Sequence, residues 1–150
     1  RLERARSGDG WYESGDRCEL DGRRLRVLGR AGRVVKVLGE LVDLDQLGRV
    51  AAGVASELGL GGQVVVVGIP DQRAGHVVAL AWEGAGGSDA GELGELLRAR
   101  YGERVLPYER AACAARFRQL PRTAVGKIDW PALLEAMENR IAQQRACDRI

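Results

Sequence analysis

The chain has 150 residues, 45% hydrophobic and 29% charged, with 21 Gly, four Pro and three Cys. A length like this suits one ordinary domain, or a domain plus a piece of a neighbour, and buries enough surface to need no disulfide staple. Twenty-three basic against 21 acidic side chains leave a formal charge of +2, which argues against nucleic acid or an anionic membrane as a partner. Cys18, Cys113 and Cys147 are scattered with no CxxC, so structural zinc and a disulfide framework are not expected and a reducing, cytoplasmic setting fits best. The apolar runs are strand-sized, such as Val64 to Val67, too short to span a membrane. The chain opens on Arg1, and is expected to be a piece of something larger.

In chain order, residues 1–16 read as irregular, with turn residues at Ser7-Gly8-Asp9-Gly10 and Ser14-Gly15-Asp16. Arg17–Leu20 and Arg24–Leu28 flank Asp21-Gly22, a two-residue hairpin signal. The pattern breaks over Gly29–Arg33, a natural domain boundary, and resumes as a strand over Val34–Leu38. Asp43 with Gln46 resembles a capping box opening a helix that Gly59 ends, with Leu44, Leu47, Val50, Ala51, Val54 and Leu58 inward. Gln63–Ile69 and His76–Trp82 read as paired strands joined through Pro70-Asp71. Ser88 or Asp89 caps a second helix with Leu93, Leu96, Leu97 and Tyr101 inward, ended by Gly102. Ala114–Leu120 reads as another strand, and Asp129 caps a last helix with Pro131 in its first turn and a Leu133, Leu134, Met137, Ile141 stripe. The fold class is therefore α+β: a small sheet covered by helices, preceded by a β-hairpin. There is no internal repeat.

Familiar phosphate and nucleophile motifs fail. Gly126-Lys127 has Pro121 where a Walker loop needs its first Gly, and Ile128 where it needs Ser/Thr. Gly59, Gly61 and Gly62 precede a strand, so they make no dinucleotide fingerprint. His76 has no Ser or Cys at a recognisable spacing and reads as a strand histidine.

Lysine usage is more informative. The 23 basic residues are 21 Arg and only Lys36 and Lys127. An ammonium is a compact point charge on a flexible stem, able to contact several oxygens at once. Lys127 closes the segment Leu120-Pro121-Arg122-Thr123-Ala124-Val125-Gly126-Lys127-Ile128-Asp129, a turning loop before a helix cap. Lys36 lies between Gly29-Arg30 and Gly39-Glu40, and Asp16 ends the turn Tyr12-Glu13-Ser14-Gly15-Asp16. Each segment alone has a plainer reading: a solvated turn lysine, which that segment by itself favours, a twisted strand with polar flanks, and a loop carboxylate.

Together, in this order and at these spacings, the three segments resemble the C-terminal part of the adenylate-forming superfamily, which includes acyl-CoA synthetases, peptide-synthetase adenylation domains and luciferases. Trp11–Asp16 is similar to the family's Tyr-x-Ser/Thr-Gly-Asp motif, Gly29–Gly39 to its Gly-Arg…Lys-x-x-Gly hinge region, and Leu120–Asp129 to its Pro-x-Thr-x-x-Gly-Lys-Ile/Val-Asp motif. The resemblance runs from Gly10 to about Met137.

What the resemblance implies is specific. Residues 1–31 would be the tail of a large N-terminal domain and 32–150 a mobile C-terminal domain, with Gly32 at the hinge where the family has Asp or Lys. Asp16 would accept hydrogen bonds from the ribose hydroxyls of ATP or AMP, with Arg30 supporting the same ribose. Lys127 would stabilise charge at the α-phosphate as a carboxylic acid substrate attacks. After rotation of the domain, Lys36, Gly39 and Glu40 would line the pantetheine tunnel for CoA, and the missing Cβ of Gly39 would admit the thiol arm. ATP with Mg2+ would be held mainly by the N-terminal domain, the principal partner, and this chain alone would not catalyse adenylation. Val34 replaces a Gln common in peptide-synthetase adenylation domains, and Gly39-Glu40-Leu41-Val42 follows. Both features look more like an acyl- or aryl-CoA ligase than an enzyme loading a carrier protein. A non-catalytic module retaining the fold is the remaining alternative.

Overall fold

A computed structural model describes residues 16–30, 33–84 and 90–147. Two compact units divide between Val34 and Val35.

The first unit is a hairpin of β1 (Asp16–Asp21) and β2 (Arg24–Arg30). Asp21 pairs with Arg24, so the turn residues are Gly22-Arg23, one position later than expected. The reason is Gly22, whose φ of 58° supplies the left-handed backbone at the first turn position. The register pairs Leu20 with Leu25 and Cys18 with Val27, and pairs Glu19 with Arg26 between them. Alternation therefore gives the ribbon an apolar face and a face of opposed charges. Leu20, Leu25 and Val27 are all exposed.

The division falls within β3 (Val34–Val37), and the second unit runs from its Val35 into β4 (Glu40–Asp43). The expected strand over Val34–Leu38 is shorter by Leu38, and β4 has no counterpart among the expected elements. The turn is Leu38-Gly39, with φ of 52° and 93°, and Glu40 begins the returning strand. Four residues of mixed polarity carry too little alternation to announce a strand.

Helix α1 (Leu44–Glu57) opens on Asp43, whose Oδ1 accepts the N–H groups of Asp45 (3.0 Å) and Gln46 (3.1 Å). It closes in a Schellman motif, Leu60 N–H to Ala55 O at 2.9 Å and Gly59 N–H to Ser56 O at 3.1 Å, with Gly59 at φ 69°. Strands β5 (Val64–Asp71) and β6 (Gly75–Glu83) pair antiparallel in register. Pro70 and Asp71 belong to β5 rather than to the connection. Asp71 Oδ1 accepts the Arg73 and Ala74 N–H groups and so organises the turn that follows.

Helix α2 (Ala90–Gly102) buries Leu97 and Tyr101. Leu96 lies on the rim, 42% exposed, against expectation. The buried stripe is Leu93, Leu97 and Tyr101, four residues apart, and Leu96 falls beside it. The expected cap at Ser88 or Asp89 lies outside the described residues. After a 3-10 turn at Pro107–Glu109, β7 runs Ala111–Phe117, three residues earlier than expected, and pairs parallel with β6. The turn delivers the chain straight into the sheet, and Leu120 is buried as an anchor beyond the strand. Helix α3 (Trp130–Cys147) is capped by Asp129, whose Oδ1 accepts the Ala132 N–H at 3.2 Å.

The five-stranded sheet runs β4-β3-β6-β5, with β7 also on β6. Val64, Val66, Val78, Leu80 and Trp82 face a core with α1 and α2; Val65, Val67, Ile69, Ala79 and Ala81 face a second core with Leu133 and Met137 of α3. Burial on both faces explains the uninterrupted Val64–Val67 run. Among the described residues no helix is long and apolar enough to cross a membrane.

Candidate functional site

Lys127 sits in the loop between β7 and α3, closed by three rungs. Asp129 N–H donates to Pro121 O at 2.9 Å, Arg122 bridges Ile128 antiparallel, and Thr123 N–H donates to Lys127 O at 2.7 Å. At its tip Gly126 N–H donates to Thr123 O at 2.9 Å, with Gly126 at φ 79°. This is a tight turn followed by a left-handed bulge residue, the position glycine occupies without strain. The Lys127 side chain is exposed and has no partner among the described residues.

The loop is fastened to the far end of β6. Glu83 Oε1 accepts the Leu120 N–H (3.0 Å) and an Arg122 N–H (2.8 Å), and Oε2 accepts the Gln63 N–H at 3.4 Å. The Leu120 N–H above all, helped by the Arg122 guanidinium and the Gln63 N–H, holds the Glu83 carboxyl below its ordinary range, although burial pushes the other way.

Lys36 lies in β3, beside the other end of β6. Val37 pairs with Gly75, Leu38 N–H donates to Ala74 O at 2.8 Å, and His76 Nδ1 lies 3.2 Å from Lys36 O. The Lys36 side chain, Leu38, Gly39, Glu40 and Leu41 are exposed. A Cβ on Gly39 would meet nothing within 4 Å, so its φ of 93° accounts for glycine by itself. β6 spans nine residues between these attachments, and eight steps of strand cover roughly 27 Å. The two lysines are held at opposite ends of the sheet.

In the hairpin unit, Asp16 and Arg30, fourteen positions apart in sequence, are cross-strand partners. Gly32 and the Tyr12–Gly15 part of the first motif lie outside the described residues. Among the described residues no group of three His, Cys, Asp or Glu side chains could hold a metal ion. Sequence reading missed Glu83 and the role of Arg122, because a partner 39 residues away leaves no local spacing.

No family model matches the sequence. Over 128 residues the chain is 34% identical to the PKS-NRPS hybrid synthetase ATPKS of Aspergillus niger, covering 84% of this chain and 6% of that protein. Among solved structures, an acyl-CoA synthetase (AMP-forming)/AMP-acid ligase II-like protein from Dyadobacter fermentans matches with a TM-score of 0.63 and 26% identity, over 85% of this chain and 36% of that one. The o-succinylbenzoate CoA synthetase of Bacillus subtilis, solved with its acyl-adenylate intermediate, matches with a TM-score of 0.64 and 26% identity, over 87% of this chain and 25% of that one. The chain belongs to the adenylate-forming superfamily. It corresponds to the C-terminal part of these ligases and spans only a minor share of their length. An amide bond synthetase from Marinactinospora thermotolerans shares the fold at 23% identity and a TM-score of 0.65, so the superfamily fold leaves the acyl acceptor open.

Proposed function

We propose that this chain is the C-terminal portion of an ATP-dependent carboxylic acid:CoA ligase, which activates an acid as acyl-AMP and passes it to the CoA thiol. The observation that carries this reading is the placement of Lys36 and Lys127 at opposite ends of β6. Groups anchored beside opposite ends of a strand roughly 27 Å long are poorly placed to serve one reacting centre together. They can serve it in turn, if the domain presents one end and then the other.

In the first orientation Lys127 bridges the substrate carboxylate and the α-phosphate. The carboxylate is already the nucleophile near neutral pH, so Lys127 acts by charge rather than as a base. Asp16 and Arg30, paired across the hairpin, hold the ribose. Residues 32–150 then turn about Gly32, and Lys36 with Gly39 and Glu40 faces the pantetheine arm. Residues 1–31 stay with the N-terminal domain, which binds ATP, Mg2+ and the acid.

A second reading, transfer to the pantetheine thiol of a carrier protein, is favoured by the 34% identity to a hybrid synthetase. The full-length enzyme, given ATP, an acid and either CoA or a pantetheinylated carrier domain, separates the two. Acyl-AMP followed by acyl-CoA is the expected result. Thioester on the carrier alone selects the second reading, and no acyl-AMP with any acid rejects both.

A further inference from the structure

Arg122 differs from a surface arginine in what it joins. One of its terminal nitrogens donates to Glu83 Oε1 at 2.8 Å and to Gln63 Oε1 at 3.0 Å, while the other donates to Gly126 O at 3.3 Å. The guanidinium therefore ties the end of the β5–β6 pair to the carbonyl immediately preceding Lys127. The pair is partly sheltered, with side-chain exposures of 30% for Arg122 and 19% for Glu83. Glu83 in turn is fixed by two backbone N–H donors, from Leu120 and Gln63. The backbone is shaped for this seat: a Cβ on Gly62 would lie 2.2 Å from the Glu83 carbonyl oxygen. A planar fork of donors suits such a three-way junction, and a lysine could not reproduce it.

We propose that the Arg122–Glu83 pair is a positioning device for Lys127, setting where the Lys127 ammonium stands relative to the sheet during acyl-adenylate formation. The inference rests on the role given above to Lys127. Arg122 touches no reacting atom in this proposal; it acts through Lys127. An electrostatic contribution to a transition state depends on placement, and displacement of about 1 Å can cost on the order of 10²-fold.

The test uses the full-length enzyme and two assays, acid-dependent pyrophosphate exchange and transfer of a pre-made acyl-adenylate to the thiol acceptor. Arg122→Ala should lower the exchange kcat roughly 10- to 100-fold with little change in KM for the acid, and leave transfer within about twofold. Glu83→Gln, which keeps oxygen acceptance but removes the charge, should lower exchange less, and Arg122→Lys should restore it only in part. Arg122→Ala combined with Lys127→Ala should be no slower in exchange than Lys127→Ala alone, the behaviour of groups acting as a unit. If Lys127→Ala cripples exchange while Arg122→Ala, Arg122→Lys and Glu83→Gln all leave it intact, the positioning role falls and the lysine's role stands. Equal loss in both assays, or a double variant slower by the product of the single effects, also overturns the positioning role. If Lys127→Ala itself leaves exchange unchanged, the role of Lys127 falls, and the device with it.

Discussion

One lysine is anchored beside each end of β6, and the two are held differently. At the Glu83 end, Lys127 stands on a loop closed by three rungs, pinned by an ion pair and continued by a capped helix. At the Gly75 end, Lys36 belongs to a hairpin of four-residue strands, registered to β6 by one residue pair, with Leu38 in a left-handed conformation and Leu38 and Leu41 bare to solvent. Preorganisation matters most where charge develops in a transition state. Lining a passage for a long thiol arm demands shape and clearance more than a fixed charge. On the proposed function, the more heavily fixed lysine is the one whose work is electrostatic.

The comparison is tested most severely at Lys127. Lys127→Ala in the full-length enzyme should lower acyl-adenylate formation on the order of 10²–10³-fold, read by pyrophosphate exchange, and spare transfer from pre-made acyl-adenylate. Lys127→Arg should recover little, since a planar guanidinium does not replace a compact ammonium among converging oxygens. Lys36→Ala should show the opposite bias with a smaller loss, roughly 10-fold, confined mainly to transfer. Equal depression of both half-reactions by either alanine variant would erase the functional difference between the ends.

Much of this arrangement was legible before any coordinates, for physical reasons that differ by element. Asp43 and Asp129 declared their helices because a short side-chain acceptor three positions before a free N–H is a local signal. The Val64–Val67 run declared a strand buried on both faces. Lys36 and Lys127 stood out because arginine was used everywhere else. β4 stayed hidden, since Glu40-Leu41-Val42-Asp43 gains its identity from β3 beside it. The parallel pairing of β7 with β6, and the meeting of Glu83 with Arg122 that it permits, exist only once the chain has crossed the sheet through α2. Non-local pairing of this kind has no period to read.

A finer comparison uses two glycines. Gly39 and Gly126 both have left-handed φ, 93° and 79°, and a Cβ at either meets nothing within 4 Å. Alanine at either position therefore carries strain without a clash, about 1 kcal/mol in each case. Thermal melts of Gly39→Ala and Gly126→Ala should shift alike. Their activities should part: Gly126→Ala slows pyrophosphate exchange, and Gly39→Ala slows thiol transfer. Matching activity profiles would mean that local strain, and not the end of the sheet, decides the outcome.

The smallest expected effect concerns acidity at the Lys127 end alone. The Glu83 carboxyl is held below its ordinary value near 4.5, chiefly by the Leu120 N–H and also by Arg122. A carboxyl with a depressed folded pKa stabilises the folded arrangement fully above its unfolded value and loses that contribution as pH falls through the folded one. Acidification below about pH 4.5 should therefore loosen the 121–128 loop before the β3–β4 hairpin. Hydrogen-exchange protection factors, corrected for intrinsic pH dependence, should fall for the Leu120 and Thr123 amides in this window and hold at Leu38. Glu83→Gln should flatten the response, because an amide side chain does not titrate. An identical acid profile in that variant would assign the loosening to another group and remove Glu83 as the electrostatic anchor of the loop.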